Sequence, residues 1–227
     1  MKPARTTVQR IAEPELMDAP AQARAYAEAD FSEPNQIFVN HFTGHFSLKP
    51  KGRLIDLGCG PGDICLRLAQ ALPGWEITGL DAGPNMLALA HEAVDQAGLQ
   101  QRIQLVQAHL PAGRPNLRYD AVVSNSLLHH LPDPAILWQS VLALGAPGCA
   151  VQIMDLHRPG SHDQARAVVD QHAADAPTVL REDFFNSLLA AYTADEVRDQ
   201  LVAAGLERLK ISRPSDRHWL VRGLLAQ

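Results

Sequence analysis

The chain has 227 residues, 46% hydrophobic and 20% charged, a globular composition long enough to bury one core under both faces of a sheet. Its formal net charge of −5 comes without a cluster of Lys and Arg, which argues against a general nucleic-acid binder. Cys59, Cys65 and Cys149 form no C-x-x-C pair and are odd in number, so they suit neither a disulfide framework nor a zinc knuckle.

The opening MKPARTTVQRIAEPEL lacks the apolar stretch of a signal peptide, and no run approaches the ~18 apolar residues of a membrane span. The expectation is a soluble, cytoplasmic protein. Residues 1–50 are read as an N-terminal helical lid: AQARAYAEAD favours helix, Phe31, Phe38, Phe42 and Phe46 follow, and Lys49-Pro50-Lys51-Gly52 breaks the pattern. From 51 to 227 a second unit shows short apolar runs separated by helical stretches, the rhythm of a parallel sheet covered on both faces. Strands are predicted at 53–57, 76–80, 103–107, 119–124 and 150–156, and helices at 63–72, 85–97 and 134–146. Thr193 and Glu196 have capping-box spacing before a helix over 194–204 that stops at Gly205. The last two strands, 206–212 and 218–224, are joined by Arg213-Pro214-Ser215-Asp216, too short for a helical crossover, so they are expected to be antiparallel. The fold class is α/β.

The strongest chemical signal is Leu54-Ile55-Asp56-Leu57-Gly58-Cys59-Gly60-Pro61-Gly62-Asp63, an apolar strand entering a glycine turn and then a helix. Such a turn lets a ligand lie against bare backbone and offers free N–H groups, a device that several nucleotide and phosphate sites share. Asp56 at the strand end suits a cationic group. Asp81 ends the second strand, where a carboxylate accepts from both hydroxyls of a ribose or caps the helix that begins near Pro84. The third strand ends in Gln107-Ala108-His109-Leu110-Pro111, within reach of a purine edge.

The fourth strand runs into Ser124-Asn125-Ser126-Leu127-Leu128-His129-His130-Leu131-Pro132-Asp133-Pro134. With that segment in place, residues 50–160 resemble the class I S-adenosylmethionine-dependent methyltransferases, particularly the small-molecule branch that includes the ubiquinone and menaquinone methyltransferases. The resemblance implies a Rossmann-like, doubly wound, seven-stranded sheet with an antiparallel terminal strand, order 3-2-1-4-5-7-6. It implies S-adenosylmethionine as methyl donor, leaving S-adenosylhomocysteine. By position it assigns Gly58, Cys59, Gly60 and Gly62 to the methionine part, Asp81 to ribose, and Ala82 and Met86 to the flanks of the base. It gives His109 and Leu110 to adenine, Asn125 to the methionine end, and Tyr26 to the lid over the donor. His109 stands where the family often has an aspartate, so a backbone contact is expected to replace a carboxylate at the adenine amino group.

A sulfonium is already an activated donor, so holding a nucleophile in line supplies most of the catalysis, up to ~7–11 kcal/mol. A base is needed only where the acceptor must lose a proton. His130, Asp155 and His157 converge on the carboxyl edge of the sheet as candidates, each also readable as a structural pair. Of the neighbours His129 and His130, at most one is expected to face the site, and His130 is the preferred one. Arg158 offers a fork for a carboxylate or phosphate on the acceptor. Phe184, Phe185 and Tyr192 have spacing that suits one helical face and are expected near the acceptor. No metal is expected, because neither His41 with His45 nor His157 with His162 completes a ligand set. A nicotinamide-binding reading is disfavoured because Asp63 occupies the place of its third glycine. The acceptor is expected to be an unidentified small molecule. The motifs alone also accommodate a non-catalytic S-adenosylmethionine-binding partner or regulatory subunit.

Overall fold

The apolar runs of the middle of the chain become parallel strands flanked by helices in the computed structural model, which describes residues 8–12, 18–111 and 117–226. The strands are β1 (Gly52–Leu57), β2 (Trp75–Asp81), β3 (Ile103–Gln107), β4 (Tyr119–Asn125), β5 (Gly145–Leu156), β6 (Lys210–Ser212) and β7 (His218–Leu224). Their order is β3-β2-β1-β4-β5-β7-β6, as the sequence implied. β3, β2, β1, β4 and β5 run parallel, whereas β7 is antiparallel to both β5 and β6.

The helices are α1 (Pro20–Glu28), α2 (Ser32–His45), α3 (Asp63–Ala71), α4 (Pro84–Gln96), α5 (Ala135–Leu144), α6 (His162–His172), α7 (Thr178–Ala190) and α8 (Ala194–Ala203), with one turn of 3-10 helix at Leu128–His130. Alternation along β1 distributes the core: Leu54 packs with Phe38, Phe42, Cys65 and Leu68 on the face covered by α2 and α3. Ile55 and Leu57 pack with Trp138, Val141 and Leu201 on the face covered by α5 and α8. Within the expected lid, residues 1–7 and 13–17 lie outside the described residues. In the remainder α2 is part of the core, since Phe38, Val39 and Phe42 are buried and the Gln152 side chain donates to the Phe38 carbonyl at 2.8 Å.

Two strand boundaries differ from the sequence expectation. Gly145 ends α5 in an extended conformation, so β5 starts there and not at 150, pairing with Tyr119 before a register shift. Residues 206–209 form a turn closed by Leu209 N–H on the Leu206 carbonyl, which leaves β6 only three residues. The antiparallel sense of β7 brings its first residue, His218, opposite Leu156 at the carboxyl edge of the parallel strands. No helix among the described residues is long and apolar enough to cross a membrane.

Candidate active site

A cleft of about 810 Å³ opens at that carboxyl edge, floored by the ends of β1, β2, β4 and β5 and roofed by α1, the start of α2 and part of α7. The turn after β1 sits at its base, with Gly58 at φ 71° and Gly60 at φ 53°, conformations a side chain disfavours by about 1–2 kcal/mol. A Cβ at Gly58 would press on Leu127 at 2.8 Å. At Gly60 it would meet nothing within 4 Å, because this backbone faces open cleft.

Asp81 ties the turn to β2. Its Oδ2 accepts from Gly60 N–H and its Oδ1 from Gly83 N–H, both at 2.8 Å. Burial raises its pKa above the ordinary carboxylate value, against the pull of those two N–H groups. Each oxygen keeps a lone pair for a hydroxyl. Asp18 caps α4 beside it, accepting from the N–H groups of Asn85 and Met86 at 2.9 and 3.2 Å.

Deeper in the cleft, Asp56 is 1% exposed. Its Oδ2 accepts from the Cys65 thiol at 3.4 Å, and its buried Oδ1 has no hydrogen-bond partner among the described residues. Burial, opposed by the Cys65 hydrogen bond and reinforced by Asp81, pushes its pKa up to about 7. The buried Oδ1 of Asn125 likewise lacks a partner. Two orphaned acceptors beside bare backbone call for a ligand that brings hydrogen-bond donors and positive charge.

Residues 55–151 match the family described as "Methyltransferase domain". A ubiquinone biosynthesis O-methyltransferase of Stutzerimonas stutzeri is 32% identical over 126 residues, 56% of this chain and 53% of that protein. A trans-aconitate 2-methyltransferase of Mycobacterium tuberculosis is 37% identical over 119 residues, 51% of this chain and 42% of that protein. The chain thus spans about half the length of the curated relatives it matches. A SAM-dependent methyltransferase from Aquifex aeolicus superposes with TM-score 0.68 at 16% identity, covering 92% of this chain and 99% of its own. The plantazolicin methyltransferase in complex with a triazolic desmethylPZN analog and SAH gives 0.65 at 15%, covering 90% and 92%. Residues 55–151 are therefore similar to a methyltransferase domain, and the fold is the one seen in structures of S-adenosylmethionine-dependent methyltransferases.

The cleft is lined by Tyr26, Asp56, Gly58, Cys59, Gly60, Asp81, Ala82, Met86, His109, Leu110, Asn125 and His130, all singled out from the sequence. Tyr26 reaches it from α1, its ring 4.8 Å from that of Phe31. Burial, and then the charges of Asp155, Asp81 and Asp63, push its hydroxyl up to about 12, so it is neutral.

Gly62, Asp155 and His157 are placed elsewhere. Gly62, at φ 86°, starts α3, and a Cβ there would meet Ala90 of α4 at 3.1 Å, so its smallness serves helix packing. Asp155 is buried behind the cleft wall, where Oδ1 lies 2.5 Å from His129 Nδ1 and Oδ2 accepts from His129 N–H at 3.2 Å. Burial alone would raise this carboxyl, but His129 holds it below the ordinary value. His157 turns its Nδ1 to the Arg158 carbonyl at 2.9 Å. Arg158 is itself buried, donating to the Ala191 carbonyl and pairing with Glu196, and it does not line the cleft. Of the three aromatics, Phe184 lines the cleft; Phe185 packs near His162 and Arg166, and Tyr192 lies beyond α7, under the Arg10 guanidinium at 4.3 Å.

Other lining residues were missed. His129 borders the cleft together with His130, their rings 4.1 Å apart in the one turn of 3-10 helix. Arg10 holds that turn from the N-terminal side, donating to the carbonyls of His129 at 3.0 Å and Ala190 at 2.6 Å. Arg217 and His218 enter from the start of β7, and His172 from the last turn of α6. Burial, with the Arg217 charge, lowers the His218 pKa to about 4, so its ring is neutral. Among the described residues no group of three His, Cys, Asp or Glu side chains could hold a metal ion.

Proposed function

We propose that this protein transfers a methyl group from S-adenosylmethionine to a small-molecule acceptor. The observation that carries the reading is the pair of buried, unpartnered acceptors, Asp56 Oδ1 and Asn125 Oδ1, beside the open backbone of Gly60. The donor supplies an activated methyl on a positively charged sulfur, and its amino group brings the hydrogen-bond donors those oxygens lack. Asp56 and Asn125 hold its methionine end, Gly58, Cys59 and Gly60 give it backbone to lie on, and Asp81 takes the ribose hydroxyls. Ala82, Met86, His109 and Leu110 flank the adenine. Tyr26 and Phe31 close over the donor and exclude water.

On the acceptor side His130 touches the substrate and takes a proton where the nucleophile must lose one. Asp155 is a positioning residue that acts through His129, fixing the ring against which His130 stacks. The names of the two curated relatives, one of ubiquinone biosynthesis and one acting on trans-aconitate, support a small molecule over a macromolecule. Titration with S-adenosylmethionine, followed by an assay for S-adenosylhomocysteine with a panel of small acids, phenols and amines, tests the proposal. Binding without turnover on any acceptor would favour a non-catalytic partner, and no binding would refute the donor assignment.

A further inference from the structure

We infer that the acceptor is an organic acid whose carboxylate is held at the end of the cleft by Arg217. The inference rests on the donor reading above and adds the chemical class of the second substrate. The antiparallel sense of β7 delivers Arg217 to the carboxyl edge, and His157 N–H donates to the Arg217 carbonyl at 2.7 Å, pinning its backbone to the end of β5. Its side chain, 21% exposed, lines the same cleft as His129 and His130.

The guanidinium is only part-used. Nη1 lies 2.9 and 3.0 Å from the two ring nitrogens of His172 and 3.4 Å from Asp216 Oδ1, while Asp216 Oδ2 is taken by His172 Nε2 at 2.8 Å. All of these guanidinium contacts are made by Nη1; Nε and Nη2 make no hydrogen bond among the described residues, and these adjacent N–H groups form the fork that a carboxylate accepts in bidentate fashion. The other lining arginine, Arg67, is already spent on Asp63 at 2.7 Å and Gln36 at 3.0 Å. Asp183, the acid at the acceptor end, accepts from Gln22 at 3.1 Å. Arg158, the arginine the sequence suggested for this task, is buried against Glu196. Among the described residues, Arg217 is therefore the cleft-lining arginine whose Nε–Nη2 edge is free.

The test uses the full chain saturated with S-adenosylhomocysteine and a matched pair of probes, benzoate and benzamide, whose binding is followed by ligand-observed NMR titration. Benzoate should bind at least tenfold more tightly than benzamide, and Arg217→Gln should abolish the preference while leaving S-adenosylhomocysteine affinity unchanged. Arg217→Lys, which keeps the charge and loses the fork, should retain part of it. Equal or absent binding of the two probes by the wild type, or a preference that survives in Arg217→Gln, overturns the inference with the donor site intact. Failure of S-adenosylhomocysteine to bind at the outset refutes the donor reading instead.

Discussion

Asp56→Asn should erase a pH dependence of donor binding that the unaltered protein shows. In the free protein burial lifts this carboxyl from 3.8 to about 7, a change corresponding to about 4 kcal/mol, so near neutrality the proton is only half lost. A cationic donor requires the charged form. Affinity for S-adenosylmethionine should therefore rise about tenfold from pH 6 to pH 8 and level off above, because about one tenth of Asp56 is ionised one unit below its pKa. The donor's own amino group titrates identically against both proteins, and Asp81 is present in both, so the difference between the two profiles isolates Asp56. Folding stability carries the opposite sign. A carboxyl whose folded pKa is raised binds its proton more tightly when folded, so its contribution declines as pH climbs from about 4 to about 7. Asp56→Asn should flatten that decline in urea unfolding. Calorimetric titrations at pH 6, 7 and 8 measure the first effect; parallel profiles for the two proteins would refute the reasoning.

Asp81→Ala should weaken S-adenosylhomocysteine binding by at least tenfold in direct titration, since it removes the ribose contact and frees the N–H groups of Gly60 and Gly83. Gly60→Ala should cost about 1–2 kcal/mol of stability for its positive φ yet abolish donor binding, because the added methyl meets no protein atom and projects into the cleft. Asp155→Ala should destabilise the fold by about 3–5 kcal/mol in chemical denaturation, the cost of leaving His129 with a missing buried partner. The depressed pKa of Asp155 means that its contribution is present above about pH 4 and lost as pH falls below, so wild type and Asp155→Ala should converge in stability in acid.

The donor half of the site was readable because its parts are local. A turn that needs positive φ announces itself by glycine, and an acid at the end of an apolar run sits at the carboxyl edge whatever the rest of the chain does. Gly62 fits the same pattern yet faces Ala90, a distinction set by the approach of α4 and carried by no neighbour in sequence. The acceptor half is assembled across the fold. Arg217 reaches the cleft only through the register of β7 on β5, which the antiparallel pairing of 206–212 with 218–224 did not specify. His129 was set aside because neighbouring side chains were expected to face different ways, yet both histidines border the cleft. Tyr192 continues the helical spacing of Phe184 and Phe185 on paper, but α7 stops at Ala190 and Tyr192 forms a bridge with His157.

The hydrogen bond from Gln152 to the Phe38 carbonyl makes one part of the roof a fixed beam. The beam, α2, shares its apolar side with the centre of the sheet and cannot lift without unpacking Phe38 and Phe42. The nine-residue α1 beside it is held at Asp18 and Gln22, buries Ala23, and rests the Tyr26 ring on Phe31 across the non-helical passage from Ala29 to Phe31, so the cover over the cleft is tied to the sheet through α2 and to α4 and α7 through α1.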